Sequence, residues 1–314
     1  MYETMVRIYI VPALGSKRLD RITIRDIQGW LNKLAATCQC CAQGKDKARP
    51  EDRRRCCAVG KCCQQYTSAR TIQAARNVLR TALNHAMTEE LLARNPAALA
   101  WIRGPRKQRR EPWTVDEARR FLESAQHDRD PLYAAYVLVL VLGLRRGEAL
   151  GLTWNDVRAA AAELHINWQL QRVSHNLLHS DTKTEGSAAV LPLPDICLTA
   201  LKSRHEQQDQ ARADAGSAWH DLGLVFTTRW GTPIEHRNFN RSFHARCARA
   251  GVRRIRMHDT RHTCGSLLAA LDIHPRVVMQ ILRHSKISIT MEIYTEVPDA
   301  TTREALRRLG ESLA

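Results

Sequence analysis

Residues 143–154 read Gly-Leu-Arg-Arg-Gly-Glu-Ala-Leu-Gly-Leu-Thr-Trp. The segment before it, Pro131–Leu142, is apolar nearly all round, which predicts a helix buried on every side. The apolar run ends against Arg145-Arg146 and is too short to span a bilayer. This stretch therefore predicts a core helix that closes on a cationic turn.

Outward from it, the pattern is mostly helical. Upstream, Thr114-Val115-Asp116-Glu117 has the form of a capping box ahead of a helix. Downstream, strand-like runs at His165–Val173 and Ala188–Leu193 flank a turn-rich Ser180–Ser187. Val225–Thr228 with Gly231-Thr232-Pro233 suggests a short strand and turn, and the helical pattern returns from Arg237 through Leu309. Toward the start, Pro12 and Gly15 interrupt the opening segment 1–18. Thr23 then caps a helix whose apolar face is Ile27, Trp30, Leu31 and Leu34. A second long helix begins near Ser68 with the stripe Ile72, Ala75, Leu79, Ala82, Leu83 and Ala86, and Asn95-Pro96 ends the region. The predicted class is mainly α with a small antiparallel β-sheet. The predicted organisation is a helical domain over 1–102 with a Cys-rich insertion at 37–66, a basic linker at 103–110, and a second domain over 111–314.

Composition narrows the function. The 314 residues carry 48 Lys and Arg against 32 Asp and Glu, a formal charge of +16. At 44% hydrophobic the chain has material for a real core, which excludes a disordered basic tail. The charge asks for a polyanion. No long basic amphipathic helix flanked by aromatics reads as a membrane anchor, so nucleic acid is the expected partner. The opening residues lack a basic-then-apolar leader, which gives the expectation of a soluble protein of the cytoplasm, associated with the nucleoid.

Four local patterns in the second domain carry the chemistry. They are Gly143–Glu148 with Arg145; Thr182-Lys183-Thr184 between the two strands; His258-Asp259-Thr260-Arg261; and Leu282-Arg283-His284-Ser285, followed ten positions after the His by Tyr294. Each alone has an ordinary reading. Arg145 and Lys183 could be solvated surface charges, His258 and His284 satisfied histidines, and Tyr294 a packing aromatic. Jointly they are specific. Of thirteen His residues only His258 has Arg three positions on, and Tyr294 alone among the tyrosines lies beyond that motif.

This ordered set resembles the tyrosine recombinases, the phage-type integrases found in phages and actinobacteria. The resemblance covers nearly the whole chain. It implies a helical core-site DNA-binding domain followed by a tyrosine recombinase catalytic domain, clamped around duplex DNA. It also implies site-specific cutting and rejoining of DNA for integration or excision of a phage or mobile element. Tyr294 would attack a phosphodiester, forming a 3′-phosphotyrosyl bond and freeing a 5′-hydroxyl. Arg145 and Arg261 would neutralise charge on the phosphate oxygens as fixed planar donors, where many nucleases use metal ions. Lys183 would protonate the leaving oxygen, His258 would assist proton movement, and His284 would donate a hydrogen bond to the phosphate. The resemblance implies that no metal is needed, since the two arginines stand in for it, and that no ATP is needed, since the covalent link conserves the bond energy. Four protomers would meet on two DNA sites, with directionality or host bending factors as further partners. The segment after Tyr294, with Glu304, Ala305, Leu306 and Leu309, would be a short helix docking on a neighbour.

Departures from the family pattern carry their own expectations. Glu148 reads as structural support for the first Arg. Arg283 replaces the usual Gly of the fourth motif, either straining a left-handed backbone or adding a phosphate contact. The arm-binding domain that usually leads such chains is expected to be missing before Met1. Two rival readings stay open: a non-catalytic DNA-binding remnant, and a type IB-like topoisomerase. Apart from the family pattern, Cys38, Cys40, Cys41, Cys56, Cys57, Cys62 and Cys63 crowd the insertion. Four of them are enough for a structural zinc, and the alternative is a loop of free reactive thiols. The neighbouring Lys45, Lys47, Arg49, Arg53, Arg54, Arg55 and Lys61 suit a DNA backbone.

Overall fold

Thr23 starts the first long helix, α1 (Ile24–Ala36), by a reciprocal cap. Asp26 N donates to Thr23 Oγ1 at 3.2 Å and Thr23 N donates to Asp26 Oδ2 at 3.0 Å. Helix α1 buries Ile27, Trp30, Leu31 and Leu34, the predicted face. These elements belong to a computed structural model that describes residues 2–102, 104, 111–173, 176–181, 189–284 and 286–291. The chain divides into two compact units, Met1–Arg109 and Arg110–Ala314.

In the first unit, α2 (Ala69–Thr88) begins where Ser68 Oγ accepts from Thr71 N at 3.1 Å. It buries Ile72, Ala75, Val78, Leu79, Leu83 and Ala86. Ala82, expected on this face, is exposed, while Val78 on the same helix is buried. The opening segment also differs from expectation. Tyr2–Leu14 is helical through Pro12, with a π turn at Val6–Ile10 just before it. A proline lacks the N–H that an unbroken α-helix would need, and the wider turn takes up that mismatch. The segment packs Met5, Tyr9 and Ile10 on the core, and Trp30 Nε1 donates to Tyr9 O at 2.8 Å.

The second unit opens with α3 (Val115–His127), capped by the Thr114–Glu117 box, and α4 (Tyr133–Val141), buried from Ala134 to Leu140. Next come α5 (Arg146–Gly151) and the strands β1 (Val157–Arg158), β2 (Glu163–Ile166), β3 (Trp168–Val173), β4 (Asn176–Asp181) and β5 (Ala189–Pro192). They are followed by α6 (Asp195–Ala215), α7 (His236–Arg249), α8 (Asp259–Ala270), α9 (Pro275–Leu282) and α10 (Ile287–Met291). Trp113 N donates to Thr263 Oγ1 at 3.1 Å, so the first residues of the unit are pinned to α8. Arg246, 2% exposed, pairs with Asp128 at 2.5 Å and Asp130 at 2.8 Å and ties α7 to the α3–α4 corner.

The sheet differs from its sequence reading. His165–Val173 is two strands rather than one, split at Asn167, whose Nδ2 donates to Asp156 Oδ1 at 3.0 Å. Strand β2 joins an antiparallel sheet of order β1-β2-β5, with Leu164 opposite Leu191. Strand β3 pairs with β4 instead, Val173 opposite Asn176 and Trp168 opposite Asp181. Strand β4 therefore takes in Ser180 and Asp181, which were expected in a turn. Around Val225 there are only single bridges, Thr153 to Leu224 and Thr227 to Pro233. Most of the linker, residues 103 and 105–110, lies outside the described residues, as do Thr182-Lys183-Thr184, Tyr294 and the segment 304–309. No described helix is long and apolar enough to cross a membrane.

Two glycines one helical turn apart let α5 lie flush on β3. A Cβ on Gly147 would meet Leu170 O at 2.9 Å, and one on Gly151 would meet Leu170 N at 2.6 Å and the Gln169 carbonyl carbon at 2.7 Å. Both obstacles are backbone and cannot turn aside. Gly151→Ala should therefore lower the unfolding free energy by about 1–3 kcal/mol, as overpacking does. Gly29 in α1 meets nothing within 4 Å, so Gly29→Ala should raise stability by about 0.8–1 kcal/mol through helix propensity. Urea unfolding of the two variants checks the opposite signs.

Candidate active site

Gly143 turns the chain out of α4 with φ +59, a left-handed conformation that suits glycine. Its side is closed as well, since a Cβ there would stand 2.4 Å from Leu282 Cδ2. The freed carbonyl of Gly143 accepts from Arg261 Nη1 on α8 at 2.5 Å. Two residues on, Arg145 sits at the start of α5. Its backbone N donates to Glu148 Oε2 at 2.8 Å and its Nη1 to Glu148 Oε1 at 2.6 Å.

Glu148 is the anchor of the site. It is 4% exposed and also accepts from Arg283 Nη2 at 2.5 Å, so one carboxylate holds two guanidinium groups. Burial would raise its pKa, but Arg283, then the Arg145 backbone N–H and the Arg145 guanidinium, hold it below the usual carboxylate range. This matches the supporting role expected of Glu148. Arg283 ends α9 with φ +51, so the left-handed backbone is present. The alternative of a phosphate contact does not hold: its side chain is 2% exposed and turned inward to Glu148. Arg145 Nη2 reaches the Arg283 carbonyl at 3.4 Å, which links the first and fourth motifs directly.

Arg261 is buried, and its Nη2 has no hydrogen-bond partner among the described residues. Burial, then the neighbouring charges of Arg145 and Arg283, pushes its pKa down to about 9, so it stays charged at neutral pH. His284 follows Arg283 and lies half-buried, its Nδ1 2.9 Å from Thr290 Oγ1. Burial first, then Arg261, Arg145, His262 and Arg283, pushes it down to about 4, so the ring is neutral near pH 7. A neutral ring bonded to Thr290 through Nδ1 can present Nε2–H as a donor.

Arg145, Arg261 and His284 thus share one electrostatic environment, although 139 positions separate the first from the last. His258 is exposed at the start of α8, and its ring stands edge-on to His262 at 5.9 Å. His262 links it to His284, whose protonation it opposes. His262 has no assigned role in the motif, and its signal in the sequence is its place four residues, one helical turn, after His258. Thr290 and the Gly143 carbonyl are marked by no motif. Lys183 and Tyr294 lie outside the described residues. Three guanidinium groups facing one carboxylate leave an excess of positive charge with an unused buried donor, which is a site for an anion.

Comparison with known proteins agrees with that chemistry. The Phage integrase family model matches residues 113–301. A XerC-like tyrosine recombinase of Caldanaerobacter subterraneus subsp. tengcongensis is 30% identical, covering 80% of this chain and 68% of that protein. An integrase of Saccharopolyspora erythraea is 24% identical over 98% of this chain and 76% of its own length. Among solved structures, the Tn1549 transposon integrase in complex with transposon right-end DNA shares the fold, with a TM-score of 0.75 and 20% identity. That match covers 98% of this chain and 92% of the other. A lambda integrase dimer bound to a core site matches with a TM-score of 0.56 and 18% identity over 93% of this chain and 86% of the other.

Glu148→Gln leaves Arg283 buried without its counter-charge and should cost about 3–5 kcal/mol of unfolding free energy at pH 7. The pH dependence has a defined sign. The folded pKa of Glu148 is depressed, so its contribution is present above the unfolded value near 4.3 and is lost as pH falls through the folded value. Below about pH 4 the wild type should therefore lose stability more steeply than the Gln variant. His284 acts over a higher window. Its folded value of about 4 lies below the unfolded 6.5, so the unfolded chain binds the extra proton and stability falls as pH drops from 6.5 to 4. Urea titrations across that window should show a flatter profile for His284→Asn.

Proposed function

The chain belongs to the phage integrase family and is a tyrosine-type site-specific recombinase, and from that we propose how its own residues cut and rejoin double-stranded DNA. The scissile phosphate enters beside Arg261, whose buried Nη2 lacks an acceptor, and beside Arg145, which Glu148 holds in place. Cleavage puts charge on two non-bridging oxygens at phosphorus. Two guanidinium groups that keep their charge through the reaction stabilise it without reorganising. His284, neutral and tethered by Thr290, donates Nε2–H to the same phosphate.

Tyr294 is the nucleophile. Its oxygen forms the bond to phosphorus as the bond to the 5′-oxygen breaks, and the phenol proton leaves by way of His258. Lys183 gives the departing 5′-oxygen its proton. The product is a 3′-phosphotyrosyl link and a free 5′-hydroxyl, and attack by a 5′-hydroxyl from the partner site reverses the step. Catalysis in this family needs no metal, and the conserved bond energy removes the need for ATP. The family favours strand exchange, for integration or excision of a mobile element, over relaxation by a topoisomerase or simple site occupation.

The domain reading follows the same proposal. Residues 1–102 bind the core site, 103–110 link, and 111–314 catalyse, with four protomers on two sites. The Cys-rich insertion, 37–66, holds structural zinc and takes no part in the chemistry. The observation that carries the reading is the excess of buried guanidinium charge around Glu148, with one donor of Arg261 unused.

The test is a duplex carrying the core site with a nick that lets the 5′-terminated fragment diffuse away, trapping the covalent adduct. The wild type should form an adduct that migrates with DNA and protein together. Tyr294→Phe should form none. Arg261→Ala should reduce adduct formation by about 10²–10³-fold, the usual effect of removing one charge-stabilising donor. An adduct that survives in Tyr294→Phe, or near-normal cleavage by Arg261→Ala, would overturn the assignment.

A further inference from the structure

The insertion between α1 and α2 has a core made of nothing but cysteines. Cys38, Cys40 and Cys56 are buried, with Cys41 and Cys57 packed against them. Three small side chains are far too little apolar surface to hold a segment of this length in one conformation. Yet the segment is closed, with Cys38 bridging to Tyr66 and Gln39 N donating to Gln65 O at 2.9 Å. The arrangement of the sulfurs explains what holds it. The Sγ atoms of Cys38, Cys41, Cys56 and Cys62 lie within 4.8 Å of one another, and so do those of Cys40, Cys56 and Cys63. Cys56 belongs to both groups. Cys38 belongs to the first group and not the second, but its Sγ stands 3.7 Å from that of Cys63, and Cys41 is 3.3 Å from Cys56. Around a tetrahedral zinc with Zn–S of about 2.3 Å, neighbouring sulfurs stand about 3.8 Å apart.

We propose that residues 38–63 bind two divalent zinc ions in one six-thiolate cluster, with Cys38 and Cys56 each bound to both ions. The ligand count closes. Two tetrahedral ions need eight sulfur positions, and two shared plus four single thiolates supply them: Cys41 and Cys62 on one ion, Cys40 and Cys63 on the other. Cys57 is left out. The six thiol protons pass to solvent as the ions bind.

The surrounding backbone is built for this charge. Cys63 N donates to Cys56 Sγ at 3.1 Å and Gln64 N to Cys62 Sγ at 3.3 Å, which places N–H donors on two of the ligand sulfurs. Asp46, fully buried, accepts from the backbone N–H groups of Arg55, Cys56 and Ala58 and from Arg49 Nη1, and so fixes the turn that presents Cys56. Gly60, with φ +68, reverses the chain so that Cys62 and Cys63 return to the same centre.

This proposal rests on the reading that the insertion holds zinc, and stoichiometry separates the two. Native mass spectrometry and metal analysis of the full chain, purified under reducing conditions, should give two zinc ions per chain. One ion per chain overturns the shared cluster and leaves the zinc reading standing. No zinc, with all seven insertion thiols free or in disulfides, overturns both. Among variants, Cys56→Ser should fall from two ions to one or none, whereas Cys57→Ser should keep two. Equal loss in both overturns the ligand assignment. The wild-type count stands even where a variant fails to fold.

Discussion

One buried carboxylate organises the second unit. Glu148 sits between Arg145 and Arg283, and without it those two guanidinium groups would repel one another and Arg261 across a poorly solvated space. A buried charge network of this kind is a weak source of net stability, because desolvation offsets much of the attraction. Its value here is positional. It joins the start of α5 to the end of α9, and the Gly143 carbonyl joins both to α8. The excess positive charge that remains is the part a phosphate can use.

That placement depends on close approach of backbones. Helix α5 carries Arg145 at its first turn, and Gly147 and Gly151 let it rest directly on β3. A thicker contact would lift the helix off the strand and move the guanidinium with it. Gly143 acts similarly, since its left-handed turn and missing side chain leave room for Leu282 while its carbonyl faces Arg261. The motif read as Gly-Leu-Arg-Arg-Gly-Glu-Ala-Leu-Gly is thus a set of packing constraints around one charged side chain.

Local signals were legible in the sequence and long-range ones were not. The caps at Thr23 and Thr114, the helix start near Ser68 and the face Ile27-Trp30-Leu31-Leu34 depend on neighbours within a few residues, and they stand as read. The division of His165–Val173 between two sheets was not legible. It turns on Asn167 reaching Asp156 and on β4 pairing with β3, neither of which leaves a period in the sequence. Within the candidate site, Arg145 and Arg261 stand out in the sequence by residue type and motif, and the fold makes them electrostatic neighbours. For Arg283 the sequence left two alternatives open, and only the fold decides between them: the backbone is left-handed and the side chain is taken by Glu148.

The two units also show different answers to the same physical problem. In the second, a large apolar core around α4 holds the chain, and the charged network can be spent on function rather than on folding. In the insertion of the first, no such core exists, and its buried apolar cluster consists of thiols. Thiols alone supply little cohesion, whereas thiolates on a metal supply directional bonds. Asp46 makes sense in those terms. Its buried carboxylate absorbs four donors and fixes the turn that presents Cys56. A fixed turn of this kind suits the proposed shared sulfur, which must meet two ions, more than a free thiol in a surface loop.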